Sequence, residues 1–141
     1  MSSVFIDSAG WLALANRSDR WHSLAVQTYE RIARDRWRRV TTDAVIIEVC
    51  NALRRPFLRP LAAILTDNLR KAERRGHLEI IHVTPELIER GLRLFRERKD
   101  KEWSLTDCIS FVVMKQSGIA YAFTTDHHFQ QAGFVRLLEE Q

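Results

Sequence analysis

Val4-Phe5-Ile6-Asp7-Ser8 carries three consecutive apolar residues straight into a carboxylate. An apolar run without alternation reads as a strand buried on both faces, the habit of a parallel sheet covered by helices. Asp7 ends that strand, and Ser8 is expected to cap a helix running to about Ala15. The same juxtaposition recurs three times. Glu48 lies within Ala44-Val45-Ile46-Ile47-Glu48-Val49-Cys50, Asp107 opens an apolar helix after Trp103-Ser104-Leu105-Thr106, and Asp126 follows Tyr121-Ala122-Phe123-Thr124-Thr125. A carboxylate buried alone among such neighbours loses several kcal/mol or is neutralised. No lysine stands beside any of the four, so a cation is the expected partner, Mg²⁺ or alternatively Mn²⁺.

Outward from these anchors, strands and helices alternate. Strands are expected at 3–7, 39–42, 78–83, 119–123 and 134–137. Helices are expected at 8–15, 22–36, 44–55, 60–75, 85–99, 104–117 and 127–132. Asp43 is the expected cap of the third helix and Pro56 its stop, while Pro60 suits the first turn of the fourth. Thr84-Pro85 starts the fifth, and Ser104-x-x-Asp107 fits a variant capping box for the sixth. Gly76 and Gly118 follow helices as terminators. The pattern predicts a three-layer α/β/α domain spanning 1–141, with a short, mostly parallel sheet of four to five strands.

Composition narrows the class. Hydrophobic content of 45% with 28% charged residues is that of a globular chain able to bury a core, which excludes a disordered one. No apolar stretch approaches the ~20 residues that span a bilayer, and the N-terminus shows no export signal, so the cytoplasm is expected. Cys50 and Cys108 read as reduced thiols packing near the acids, because hard cations prefer oxygen. The net charge of +4 rests on arginine, with an excess between Arg54 and Arg75 that suits either a solvated helix face or a polyanionic partner.

In an open parallel sheet, ligands bind beyond the carboxyl ends of the strands. Asp7 and Asp126 stand at such ends, Asp107 in the first turn of its helix can project to the same end, and Glu48 has the longer reach its position requires. Each has a blander role available: a turn residue for Asp7 and Asp126, a cap for Asp107, a buried ion pair for Glu48. Ser8, Thr124 and Thr125 are supporting hydroxyls by position. His127 and His128 are expected as surface turn residues, and the four tryptophans as core or interface packing.

The order of these motifs resembles the PIN domain, and within it the VapC toxins of type II toxin–antitoxin pairs. The resemblance rests on Val4–Ser8, Thr41–Ala44 through Glu48–Leu53, Ser104–Phe111 and Thr124–Phe129, and covers nearly the whole chain. It implies a metal-dependent endoribonuclease whose acidic quartet falls on Asp7, Glu48, Asp107 and Asp126, a homodimer, and an antitoxin protein that holds it inactive. On that reading one or two Mg²⁺ or Mn²⁺ ions activate a water against an RNA phosphodiester, with Glu48 either a ligand or the group that orients the water. Two other classes remain open. One is a binding module that grips RNA or protein without cutting. The other is a receiver-like phosphotransfer domain, which would want a strand-end lysine that this chain lacks. Cleavage of DNA is an alternative substrate for the same site.

Overall fold

The computed structural model describes residues 2–140. In chain order the elements are β1 (Ser3–Ile6), α1 (Ser8–Ala15), α2 (His22–Arg34), β2 (Arg38–Thr42), α3 (Asp43–Ala52) and α4 (Arg59–Arg74). They continue with β3 (Glu79–Ile81), α5 (Pro85–Glu97), α6 (Leu105–Gln116), β4 (Tyr121–Phe123), α7 (His128–Gln131) and β5 (Val135–Arg136). The strands form one sheet in the order β3-β2-β1-β4-β5, and every pairing is parallel. Successive strand residues point to opposite faces, yet Val4, Phe5 and Ile6 are all fully buried. Both faces of β1 are therefore covered, as the unbroken apolar run requires. Phe5, Phe123 and Phe129 are among the largest fully buried side chains.

The topology creates the site. From β1 the sheet grows through β2 to β3 on one side, then the chain returns to place β4 on the other side of β1. That reversal leaves a crevice at the carboxyl ends of β1 and β4, the position where open α/β sheets bind ligands. Ile6 pairs with Phe123 in register, so the residues that follow, Asp7 and Thr124, emerge side by side. Gly10 lets α1 come down on this corner: a Cβ there would lie 2.3 Å from the Phe123 carbonyl oxygen.

Local signals explain most helix ends. Ser104 and Asp107 form both bonds of the capping box expected for α6, and the Thr84 hydroxyl caps α5 by accepting from Leu87 N–H at 3.2 Å. Gly76 and Gly118 adopt positive φ just beyond α4 and α6. Two expected caps differ. The N-cap of α3 is Thr42, which accepts from Val45 N–H at 3.1 Å; Asp43 instead accepts from Val83 N–H at 2.9 Å and ties α3 to the end of β3. Ser8 does not cap α1 either, because Asp7 holds the N-cap position and the Ser8 hydroxyl is directed elsewhere. α3 stops at Ala52 rather than at 55, where Arg54 donates to the freed Asn51 carbonyl. β3 and β5 pair over only three and two residues, shorter than their apolar runs. No helix among the described residues is long and apolar enough to cross a membrane.

Candidate active site

Asp7 is 2% exposed at the end of β1. The Thr124 hydroxyl donates to its Oδ2 at 3.0 Å, whereas Oδ1 is buried without a hydrogen-bond partner. Burial pushes its carboxyl up to about 7, and the charges of Asp107 and Glu48 add to that; the Ser8 N–H and the Thr124 hydroxyl act against it. Asp107, buried in the first turn of α6, accepts from the Ser104 N–H through Oδ2 at 3.1 Å. Burial also raises its carboxyl above the usual range, with Asp126 and Glu48 adding to the rise and the Ser104 N–H and His128 opposing it. Glu48 projects from α3 and takes a 2.5 Å hydrogen bond from the Ser8 hydroxyl on Oε1. Asp126 is placed by its own backbone, whose N–H donates to Thr124 Oγ1 at 3.0 Å.

The four acids therefore come together. Asp7 feels Asp107 and Glu48, and Asp107 in turn feels Glu48 and Asp126. Thr124 is the hinge of the arrangement, donating to Asp7 and accepting from Asp126 N–H. Thr125 supports the same loop through its carbonyl, which accepts from Arg136 Nη1 at 2.8 Å. Asp43 stands apart on its bond to Val83.

His128 departs from its expected place on the surface. Its side chain is 19% exposed, and its Nδ1 lies 3.2 Å from Asp126 Oδ1 and 3.3 Å from Asp107 Oδ2. The available signal was the i, i+2 turn in which Asp126 Oδ1 accepts from His128 N–H at 2.9 Å, which folds the histidine back onto the acid. Arg136 was also missed, since nothing in the local sequence of β5 indicates a reach back to Thr125. His127 is the exposed turn residue expected, 64% open with Nδ1 3.8 Å from Asp126 Oδ1.

The donor set fits a divalent cation. Among the described residues, no arginine or lysine forms an ion pair with any of the four acids. The orphaned Asp7 Oδ1 has the position and charge of a ligand atom awaiting an ion, as oxygen-rich sites provide. The ligand atoms of Asp126, His127 and His128 also lie within 4.8 Å of one another. Cys108 is excluded from this set: burial, aided by Asp107, pushes its thiol up to about 11, so it stays protonated. Both cysteines are free, as expected.

A parallel sheet of this order with acids gathered at its switch point defines a class, and comparison of the whole chain agrees: it belongs to the PIN domain family, which matches residues 4–135. Within that family it is homologous to the toxin VapC20. The curated 23S rRNA-specific endonuclease VapC20 of Mycobacterium tuberculosis, from strains CDC 1551 / Oshkosh and ATCC 25618 / H37Rv alike, is 30% identical over 138 residues. That alignment covers 97% of this chain and 99% of the relative. The crystal structure of M. tuberculosis VapC20, described as a sarcin-ricin loop cleaving toxin, superposes with a TM-score of 0.79 at 29% identity. It spans 94% of this chain and 97% of that one.

Proposed function

We propose that this protein is a metal-dependent endoribonuclease that hydrolyses RNA phosphodiester bonds, and that it is the toxin of a VapBC-type pair. The observation that carries the reading is the convergence of Asp7, Glu48, Asp107 and Asp126 around an unpartnered buried oxygen, with no arginine or lysine among the described residues paired to them. A binding module would have no use for so costly a cluster, because each added carboxylate raises the proton affinity of its neighbours.

Asp7, Asp107 and Asp126 are the residues that would hold Mg²⁺ or Mn²⁺. The ion supplies Lewis acidity at the phosphate and lowers the pKa of a bound water. The chain's own groups do the positioning. Thr124 fixes Asp7 and Asp126 relative to each other, and the capping box fixes Asp107 on α6. Ser8 occupies Glu48 Oε1, which leaves Oε2 to orient the attacking water and take its proton. Burial of Asp7 and Asp107 lowers the local dielectric, which strengthens their hold on any cation that enters.

The substrate to test first is the sarcin–ricin loop of 23S rRNA, by relation to VapC20. A cognate antitoxin, a homodimer and a cytoplasmic setting complete the proposal. The exposed Ile47, Phe57 and Ile64 support contact with another chain, since such apolar tips are costly to leave in water. The test is incubation of antitoxin-free protein with ribosomal and total RNA in Mg²⁺, Mn²⁺ or EDTA, beside Asp7→Asn, with the cut ends mapped. Discrete cuts that need metal and vanish in the variant are expected. RNA retained uncut under every condition would move the assignment to a binding module.

A further inference from the structure

His128 sits at the acidic crevice with a side chain that is 19% exposed, neither filling the core nor meeting water freely. Its Nδ1 stands 3.3 Å from Asp107 Oδ2 and 3.2 Å from Asp126 Oδ1, and it is buried without a hydrogen-bond partner. A protonated imidazole donating to a carboxylate would close to about 2.7–2.9 Å, and its single N–H cannot aim at two oxygens at once. The separations match another geometry. Adjacent ligands on an octahedral or tetrahedral ion with bonds of about 2.0–2.2 Å stand roughly 2.8 to 3.6 Å apart. His128 Nδ1 thus stands from each of the two carboxylate oxygens at the separation of neighbouring ligands of one ion. His127 Nδ1, 3.8 Å from the same Asp126 oxygen, lies at the rim of that position.

Resting on the nuclease reading of this crevice, we infer that Asp107 Oδ2, Asp126 Oδ1 and His128 Nδ1 form a mixed oxygen–nitrogen metal position that takes a first-row divalent transition metal in preference to Mg²⁺. The chemistry of the donor set decides the preference. Mg²⁺ demands hard oxygen ligands and holds its waters, whereas imidazole nitrogen suits the transition series. An all-carboxylate crevice would not discriminate in this way; the histidine two residues after Asp126 makes the difference. Asp7 and Glu48 complete the site on its oxygen side.

Mn²⁺ is the probe. The full chain and its His128→Gln and His127→Gln variants are titrated with Mn²⁺, free ion being counted by electron paramagnetic resonance. The bound ion is then examined by pulsed methods for coupling to ¹⁴N. Wild type and His127→Gln are expected to show coupling to one imidazole nitrogen. His128→Gln should lose it and bind Mn²⁺ at least about tenfold more weakly, while Mg²⁺ affinity, read by competition, moves by less than about twofold. Bound Mn²⁺ without nitrogen coupling in the wild type overturns the inference, as does unchanged Mn²⁺ affinity in His128→Gln. If circular dichroism shows that His128→Gln does not fold, the wild-type coupling decides alone. RNA cleavage measured in parallel separates the two readings. Nitrogen coupling without cleavage in any metal leaves the mixed position standing and sinks the nuclease; cleavage in Mg²⁺ with no nitrogen coupling in Mn²⁺ does the reverse.

Discussion

Asp7→Asn should abolish cleavage and at the same time make the metal-free protein more stable. The carboxyl is 2% exposed and is raised from 3.8 to about 7, by burial first. A folded-state value above the unfolded one means that the native state binds the proton more tightly. Below about pH 3.8 the group is protonated in both states and costs nothing. Between about pH 4 and 7 stability falls as pH rises, and above 7 the full cost of ionising the buried group is present. At about 1.4 kcal/mol per tenfold in proton affinity, that cost approaches 4 kcal/mol. An asparagine keeps an acceptor for the Thr124 hydroxyl but places an amide donor where Oδ1 has no partner, which returns about 1–3 kcal/mol. The net gain expected at pH 8 in EDTA is about 2 kcal/mol, or roughly 6–10 °C in Tm for a chain of this size. The assay is thermal unfolding of both proteins from pH 4 to 8 in EDTA, then with saturating Mg²⁺ or Mn²⁺. Asp107 titrates with the same sign in both proteins, so the difference between them reports Asp7 together with its coupling to Asp107. Divalent cation should raise the wild type more than the variant and shrink the gap. A difference that is absent, or constant across the pH range, would refute the account of Asp7 as an uncompensated buried acid.

Thr124→Val removes the donor to Asp7 and the acceptor for Asp126 N–H; a loss of about 1–3 kcal/mol in chemical unfolding and at least tenfold in cleavage is expected. Ser8→Ala frees Glu48 Oε1 while costing under about 1.5 kcal/mol, so cleavage should fall by more than stability alone explains, read as kcat at saturating RNA. Asp107→Asn keeps an oxygen for the Ser104 N–H, so α6 should stay folded by circular dichroism while cleavage is lost. Gly10→Ala places a Cβ 2.3 Å from the Phe123 carbonyl oxygen, and soluble expression should fall sharply or Tm drop by more than about 3 kcal/mol requires.

The fold was legible because its signals are local. Continuous apolar runs marked β1, proline and threonine marked the start of α5, and the Ser104–Asp107 spacing marked α6, each acting within a turn of chain. The four acids were legible for a thermodynamic reason: a carboxylate inside apolar sequence needs a compensating partner wherever the fold takes it. What escaped depends on where side chains point after packing. Thr42 and Asp43 are both competent caps, and the choice between them was made by Val83, forty residues away, which claims Asp43. Ser8 likewise gave up a capping role to bond Glu48 across forty residues. β3 and β5 are short because ladder length depends on how far neighbouring strands run in register, and no strand's own sequence carries that information.

Thr124 was expected among the supporting hydroxyls, whereas His128 was expected on the surface and turned inward. Both sit within two residues of Asp126, where the chain turns from β4 into α7, and a turn residue's default is solvent. Here the default fails because Asp126 spends Oδ1 on its own i, i+2 turn, which swings the His128 ring inward over Asp107. The loop is held in that form from outside by Arg136, whose guanidinium grips the Thr125 carbonyl rather than any site carboxylate. Arg136 also contacts Glu139, so its positive charge is satisfied away from the site carboxylates. An arginine free to enter would neutralise the acids and remove the need for an ion. Its tethering by backbone oxygen keeps the cluster electrostatically unpaid, and it does so while bracing the turn that brings a nitrogen ligand to the cluster's edge.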